Sequence, residues 1–225
     1  NEVLVVKLYS AIWFPYLEII LKQLIEISQV KTVVLRLSRS LQQMNNTYGL
    51  SEGKVIFGTL TNEVIPFVEH GVNFSANVIK GHKTGYFLDH RDNRKRVGEL
   101  SKNKTVLDVF SYAGGFSVHA LANQAKEVTS VDISKQALAL AIENGKLNSF
   151  SGTHKTLAGD AFEILRKLIT ENKTFDVVVI DPPSFAKSKS EIDIAKKKYR
   201  QLAELGVQLT SKGGMLVLAS CSSRI

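Results

Sequence analysis

The chain has 225 residues, 44% hydrophobic and 22% charged, with four prolines, one cysteine and a formal net charge of +8. That length can bury one large core or two modest ones, and the composition is that of a soluble globular protein. A lone cysteine excludes an internal disulfide and a thiolate zinc site, no apolar run approaches the ~20 residues of a membrane span, and the opening residues lack the charge-then-apolar order of a signal peptide. A cytoplasmic protein with neither metal nor membrane partner is expected. The chain opens on Asn rather than Met, and so reads as a piece of a longer product.

Residues 3–8 (VLVVKL) read as a strand, Pro15 starts a helix to about Ser28, and Lys31–Leu37 is a second strand. The helix has so little polar face (Leu17, Ile19, Ile20, Leu21, Leu24, Ile25, Ile27) that it should be well covered. Residues 38–53 are polar and predict an exposed loop. Val55–Leu60 and Val64–Glu69 flank Thr61–Asn62 and predict a hairpin, with a further short strand at 73–79. Residues 1–75 thus read as a small α/β accessory domain on the substrate side, without a catalytic constellation.

Residues 76–225 alternate strand and helix. Helices are expected at 91–100, 117–123, 134–148, 160–169 and 191–210; strands are expected at 105–109, 128–131, 153–158, 175–180 and 215–220. This alternation predicts an α/β domain with a doubly wound, Rossmann-like parallel sheet, whose ligands bind at the carboxyl ends of the strands. The last strand would leave a bare apolar edge, so further strands are expected beside it; the sheet reads as C-terminally truncated.

The chemistry gathers at those strand ends. VLDVFSYAGGF (106–116) is a buried strand ending near Asp108, then a Gly114–Gly115 turn opening a helix. Phe110 and Tyr112 stand where a dinucleotide fingerprint would need small residues. The loop therefore has no close pyrophosphate to admit and suits a nucleoside with a short tail; S-adenosylmethionine fits. Asp132 ends the next strand, where a carboxylate can take the ribose hydroxyls, and Asp160 and Asp181 end two more. By position, Asp108 is expected at the amino or carboxylate end of the cofactor, Asp132 at the ribose and Asp160 at the adenine. Phe110, Tyr112, Gly114, Ile133, Ala161, Asp181 and Pro182 complete the cofactor surface. Any one of these acids could simply cap a helix or form a turn.

Asp181-Pro182-Pro183-Ser184-Phe185 is a rigid exit whose carbonyls and acid can meet a planar base, which places Pro183, Ser184 and Phe185 on the substrate side. Cys221 follows the last strand, beside that turn. A cysteine there can be a small core residue; as a thiolate it can add to carbon 6 of cytosine, making carbon 5 nucleophilic. Two basic runs, Lys80, Lys83, Arg91, Arg94, Lys95 and Arg96, then Lys187, Lys189, Lys196, Lys197, Lys198 and Arg200, suggest a polyanionic partner. Lys83, Arg91 and Arg94 could hold phosphate near the crevice.

KTGYFLDHRDNR (83–94), followed by DVFSYAGGF, VDIS, GDAF, DPPSF and SCSS, resembles the large-subunit ribosomal-RNA cytosine-C5 methyltransferase family. The resemblance covers most of the chain from about residue 80; residues 1–75 resemble that family's central domain more loosely. It implies a class I S-adenosylmethionine fold, Cys221 as nucleophile, Asp181 as base-edge partner, cofactor contacts from Asp108, Asp132 and Asp160, and large-subunit ribosomal RNA as partner. A homodimer is left open. Family members usually carry an N-terminal RNA-binding PUA module and a C-terminal strand pair, and neither is found in this sequence. His82 stands where the family commonly has Gln. Ser184 stands where other RNA cytosine-C5 methylases place a second cysteine, a position at which this family lacks it too. A related branch that methylates guanine N7 lacks the cysteine of the SCSS motif. The rival readings are this fold acting on guanine N7 or an exocyclic amine, a small-molecule methylase, and a non-catalytic RNA-binding factor.

Overall fold

A computed structural model of the chain describes residues 2–44, 48–81, 84–186 and 188–222. The chain divides into two compact units, Asn1–Glu69 with Asn73–Asp89, and His70–Val72 with His90–Ile225. A division at 75/76 would cut a strand.

In the first unit β1 (Val3–Leu8) pairs in parallel with β2 (Thr32–Leu37), Val3 opposite Thr32 and Leu8 opposite Leu37. The crossover is a 3₁₀ turn at Ala11–Tyr16 followed by α1 (Leu17–Ser28). β2 is the central strand and is buried along its whole length, Arg36 included. That guanidinium is matched group by group, to Glu52 Oε1 at 2.6 Å, the Val78 carbonyl at 3.1 Å and the Gly81 carbonyl at 2.8 Å. Leu8, Phe14, Leu17, Leu35, Leu37 and Leu41 form the core under α1. The expected full cover of α1 is not found: Ile19 and Ile27 are 67% and 80% exposed, because one helix on a three-stranded sheet buries only the stripe that faces it. The polar stretch after β2 is not all loop either, since Arg39–Gln42 forms the short helix α2.

The expected hairpin around Thr61–Asn62 is also corrected. β3 (Val55–Phe57) pairs antiparallel with β2, and the hairpin forms instead between β4 (Val64–Glu69) and β5 (Val72–Asn77). Its two-residue turn, His70–Gly71, has φ of 49° and 81°. Two positive-φ residues give the turn a twist that matches the strands, whereas Thr–Asn supplies no glycine.

The second unit holds a five-stranded sheet of β6 (Thr105–Val109), β7 (Glu127–Asp132), β8 (Thr153–Ala158), β9 (Phe175–Ile180) and β10 (Thr210–Leu218). Its order is β10-β9-β6-β7-β8 and every pairing is parallel. Among the described residues its α-helices are α3 (Arg91–Leu100), α4 (Gly115–Ala122), α5 (Lys135–Lys146), α6 (Ala161–Thr170) and α7 (Ile192–Leu209). Strand alternation sorts two cores. Leu107, Val109, Val178 and Ile180 pack with Leu165 of α6 and Leu202 of α7; Val106, Val177 and Val179 pack with Val97 of α3 and Leu121 of α4. This is the doubly wound, parallel α/β sheet that the alternation of strand and helix predicts. β6 is central, with its two neighbours entered from opposite sides, so the switch point lies at the carboxyl ends of β6 and β9. No helix of the described residues is long and apolar enough to cross a membrane.

Candidate active site

The loop after β6 is bent against ordinary backbone preference. Phe110, Tyr112 and Gly114 have φ of 65°, 48° and 78°, and positive φ is uncommon for aromatic residues and clusters where a loop must face a ligand. Several contacts hold it. Asp132, at the tip of β7, accepts from the Tyr112 amide through Oδ2 and from the Ser134 amide through Oδ1, each at 2.9 Å. The Ser111 amide donates to the Val131 carbonyl at 3.0 Å. Asn144, buried on α5, donates to the Ala113 carbonyl at 3.0 Å. Gly114 closes the turn at the start of α4, where a Cβ would lie 2.8 Å from the Ala141 Cβ.

Asp108 lies beneath this loop, with 1% of its surface exposed. Its Oδ2 accepts from the Ser117 amide and hydroxyl; that hydroxyl meets Ser130 Oγ at 2.6 Å, and Ser130 Oγ meets His154 Nε2 at 2.8 Å. Asp108 Oδ1 is buried with no hydrogen-bond partner among the described residues. Burial pushes the carboxyl up to about 7, the Ser117 bonds pull against that shift, and the charges of Asp181 and Asp132 add to it.

At the end of β9 the Asp181 amide donates to the Val109 carbonyl at 3.3 Å, and beside it the Ala219 amide donates to the Ile180 carbonyl at 3.0 Å. The chain leaving β10 therefore runs alongside Asp181-Pro182. Cys221 is exposed, with its Sγ 3.9 Å from the Pro182 carbonyl oxygen. His90, before α3, brings Nε2 to 3.7 Å from Asp181 Oδ1. Asp108, Asp132, Asp181 and Cys221 thus all sit at the carboxyl ends of adjacent strands or just beyond them.

Other expected residues are placed differently. Asp160 is the N-cap of α6, its Oδ1 accepting from the Glu163 amide at 3.1 Å, and Ala161 is buried behind it. Pro182 is buried, Pro183 exposed, and the Ser184 hydroxyl donates to the Ala186 carbonyl at 3.2 Å. Phe185 packs its ring at 6.4 Å from Phe162 and edge-on at 5.1 Å from Tyr199, with the Lys198 ammonium 5.2 Å over it, so it anchors the loop instead of standing ready to stack on a base. Arg91 is exposed, but Arg94 is only 4% exposed on the inner side of α3 with Val97, which removes it from a surface role toward phosphate. Lys83, His82 and Lys187 lie outside the described residues. No group of three metal-ligating side chains occurs among the described residues.

Sequence reasoning missed His90, Asn144 and the Ser117–Ser130–His154 chain. Asn144 carried a signal, a polar residue on the apolar stripe of Leu138, Ala141 and Gly145; the others carried none, because their partners come from distant segments.

The residues present suit the expected cofactor. Asp108 offers a buried acceptor oxygen, Asp132 uses two of its roughly four lone-pair sites, and Ile133 leaves an apolar side chain 78% exposed. A donor group, a diol and a planar base match that set, and S-adenosylmethionine carries all three.

A family profile described as S-adenosylmethionine-dependent methyltransferase matches residues 25–223. The chain is similar to the ribosomal RNA large subunit methyltransferase of Deinococcus radiodurans, 44% identical over 224 residues, which are 99% of this chain and 55% of that protein. It is also similar to the ribosomal RNA large subunit methyltransferase I of Aeromonas salmonicida, 41% identical over 169 residues, 75% of this chain and 43% of that protein. The chain thus spans about half the length of these relatives. Among solved structures, SMU.776, a candidate methyltransferase complexed with SAH, superposes with a TM-score of 0.80 at 23% identity, covering 97% of this chain and 55% of that one. Trm5b from Pyrococcus abyssi superposes with 0.67 at 21%, covering 96% and 57%. At those identities the likeness speaks to the fold.

Proposed function

Because this chain belongs to the S-adenosylmethionine-dependent methyltransferase family, we propose that it methylates carbon 5 of a cytosine in large-subunit ribosomal RNA, with Cys221 as the nucleophile. The observation that carries this reading is the approach of Cys221 Sγ to the Pro182 carbonyl, one residue from Asp181. The names of the relatives support ribosomal RNA as the substrate class. Exposed Arg91, Lys196, Lys197 and Arg200 supply cations for phosphate, and residues 1–75 act as a substrate-side accessory domain.

When bound, the cofactor supplies an electrophilic methyl group on a sulfonium sulfur. Asp108, Asp132 and Asp160 hold it, with the 110–114 loop, Ile133, Ala161 and Pro182 around it. The target cytosine leaves its stack to reach the site. Cys221, as thiolate, forms a bond from Sγ to carbon 6, and the displaced double-bond electrons make carbon 5 nucleophilic. Asp181 accepts from the amino group and, as its acid, gives a proton to N3 as the adduct forms, which neutralises the charge that thiolate addition puts on the ring; N3 returns that proton when the thiolate leaves. Once carbon 5 carries the methyl group, loss of its proton to a base restores the double bond and expels the Cys221 thiolate. Mass mapping of methylated nucleosides in ribosomal RNA, from cells with and without the protein, tests this. Loss of one 5-methylcytosine is expected; loss of a methylguanine or of a methyl on an exocyclic amine would refute it.

A further inference from the structure

The cytosine reading requires Asp181, an acid at a strand tip whose side chain is 29% exposed, to present a fixed edge to the base. His90 faces one of its oxygens. Asn93 Nδ2, which can only donate, lies 2.9 Å from His90 Nδ1, so Nδ1 is the acceptor and the neutral ring carries its proton on Nε2. That Nε2 points at Asp181 Oδ1 from 3.7 Å, an ion-pair separation that a shift of under an ångström turns into a hydrogen bond. The ring is shielded, with 20% of the side chain exposed and the Phe116 ring centroid 6.3 Å away. The backbone is pinned as well. His90 sits at φ 59° and ψ 13°, a left-handed conformation uncommon for a residue other than glycine, and its carbonyl accepts the Arg94 amide at 2.8 Å as α3 begins. A strained backbone, a ring whose tautomer is fixed from one side and an acid on the other make an arrangement that packing alone does not require.

We propose that His90 is a positioning residue for Asp181. Its Nε2–H holds one carboxylate oxygen and so fixes the rotation of the carboxylate about its Cβ–Cγ bond, aiming the acid at the base edge. This rests on the cytosine reading. Without His90 the carboxylate loses its hold at Oδ1, and a misplacement of about an ångström costs up to about 100-fold in rate. The ring nitrogen and a glutamine amide occupy similar positions along the side chain, so glutamine restores the donor. Asparagine tolerates the left-handed backbone but falls short of Asp181.

The test measures cytosine methylation by the whole protein carrying His90→Ala, His90→Asn and His90→Gln, with Cys221→Ala as reference and thermal melting as the check on folding. His90→Ala and His90→Asn are expected to lower kcat about 10- to 100-fold, with KM for S-adenosylmethionine within about twofold, and His90→Gln to recover most of the loss. Wild-type kcat in His90→Asn, or an equal loss in the asparagine and glutamine variants, would overturn the positioning role while leaving the cytosine reading intact. Undiminished turnover in Cys221→Ala would overturn that reading instead.

Discussion

The Ser117 amide and hydroxyl both donate to Asp108 Oδ2, at 2.9 and 2.6 Å, and nothing among the described residues meets Oδ1. A buried acid held on one side only is a proton store. Its pKa rises from 3.8 to about 7, because burial disfavours its charge more than the two bonds favour it.

Between pH 3.8 and about 7 the folded chain keeps a proton that the unfolded chain has released, so Asp108 makes stability fall as pH rises through that window. His154, at the far end of the serine pair, has the opposite sign. Burial lowers it from 6.5 to about 4, the unfolded chain takes the proton first, and stability falls as pH drops from 6.5 to 4. The two slopes oppose, so the protein is expected to show little pH dependence between them. Asp108→Asn removes one slope while its amide oxygen still accepts from Ser117. Urea unfolding should then give a stability that rises from pH 4 to 6.5 and exceeds wild type at pH 8 by on the order of 2–4 kcal/mol. Cofactor affinity should fall, since the buried carboxylate is gone. A wild-type pH profile in this variant would contradict the account.

The 110–114 loop depends on what holds it. Gly114→Ala must adopt φ 78° and bring a Cβ to 2.8 Å from the Ala141 Cβ, with α5 immediately behind. A loss of about 2–3 kcal/mol is expected, with S-adenosylmethionine binding by calorimetry reduced at least tenfold. Asn144→Ala removes a buried donor from the Ala113 carbonyl and should cost about 1–3 kcal/mol while weakening the same binding. Unchanged affinity in both variants would separate the loop from the cofactor.

On the RNA side, Lys196 and Lys197 are exposed on α7, whereas Arg94 is buried. Charge reversal at Lys196 and Lys197 should weaken RNA binding at low salt and lower the slope of log affinity against log salt by about 1–2. Arg94→Ala should instead lower the melting temperature. The reverse pattern would move the phosphate surface to α3.

Much of the second unit was legible because parallel buried strands read as apolar runs bounded by acids and glycines. β6 and β9, both buried, fall within the expected ranges, and the sheet order puts Asp108, Asp132 and Asp181 at one end. The first unit was less legible. The hairpin was assigned to Thr61–Asn62 when the twist-matched turn was His70–Gly71, a case decided by backbone φ and not by strand propensity. Phe185 read as a substrate-side residue from its place in the turn after the paired prolines; its packing against Tyr199 depends on α7, which no local pattern brings to it. His90 and Asp181 meet only through the fold.

The central claim is that Cys221 bonds covalently to carbon 6 of a cytosine. An RNA substrate bearing 5-fluorocytosine tests it most directly, because fluorine at carbon 5 cannot leave as a proton does and the adduct is trapped. Intact-mass measurement after incubation with S-adenosylmethionine should show a protein–RNA species with one added methyl group, present in wild type and absent in Cys221→Ala. A folded, cofactor-binding protein that methylates the unmodified RNA yet gives no such species, or gives it equally in Cys221→Ala, would contradict the account.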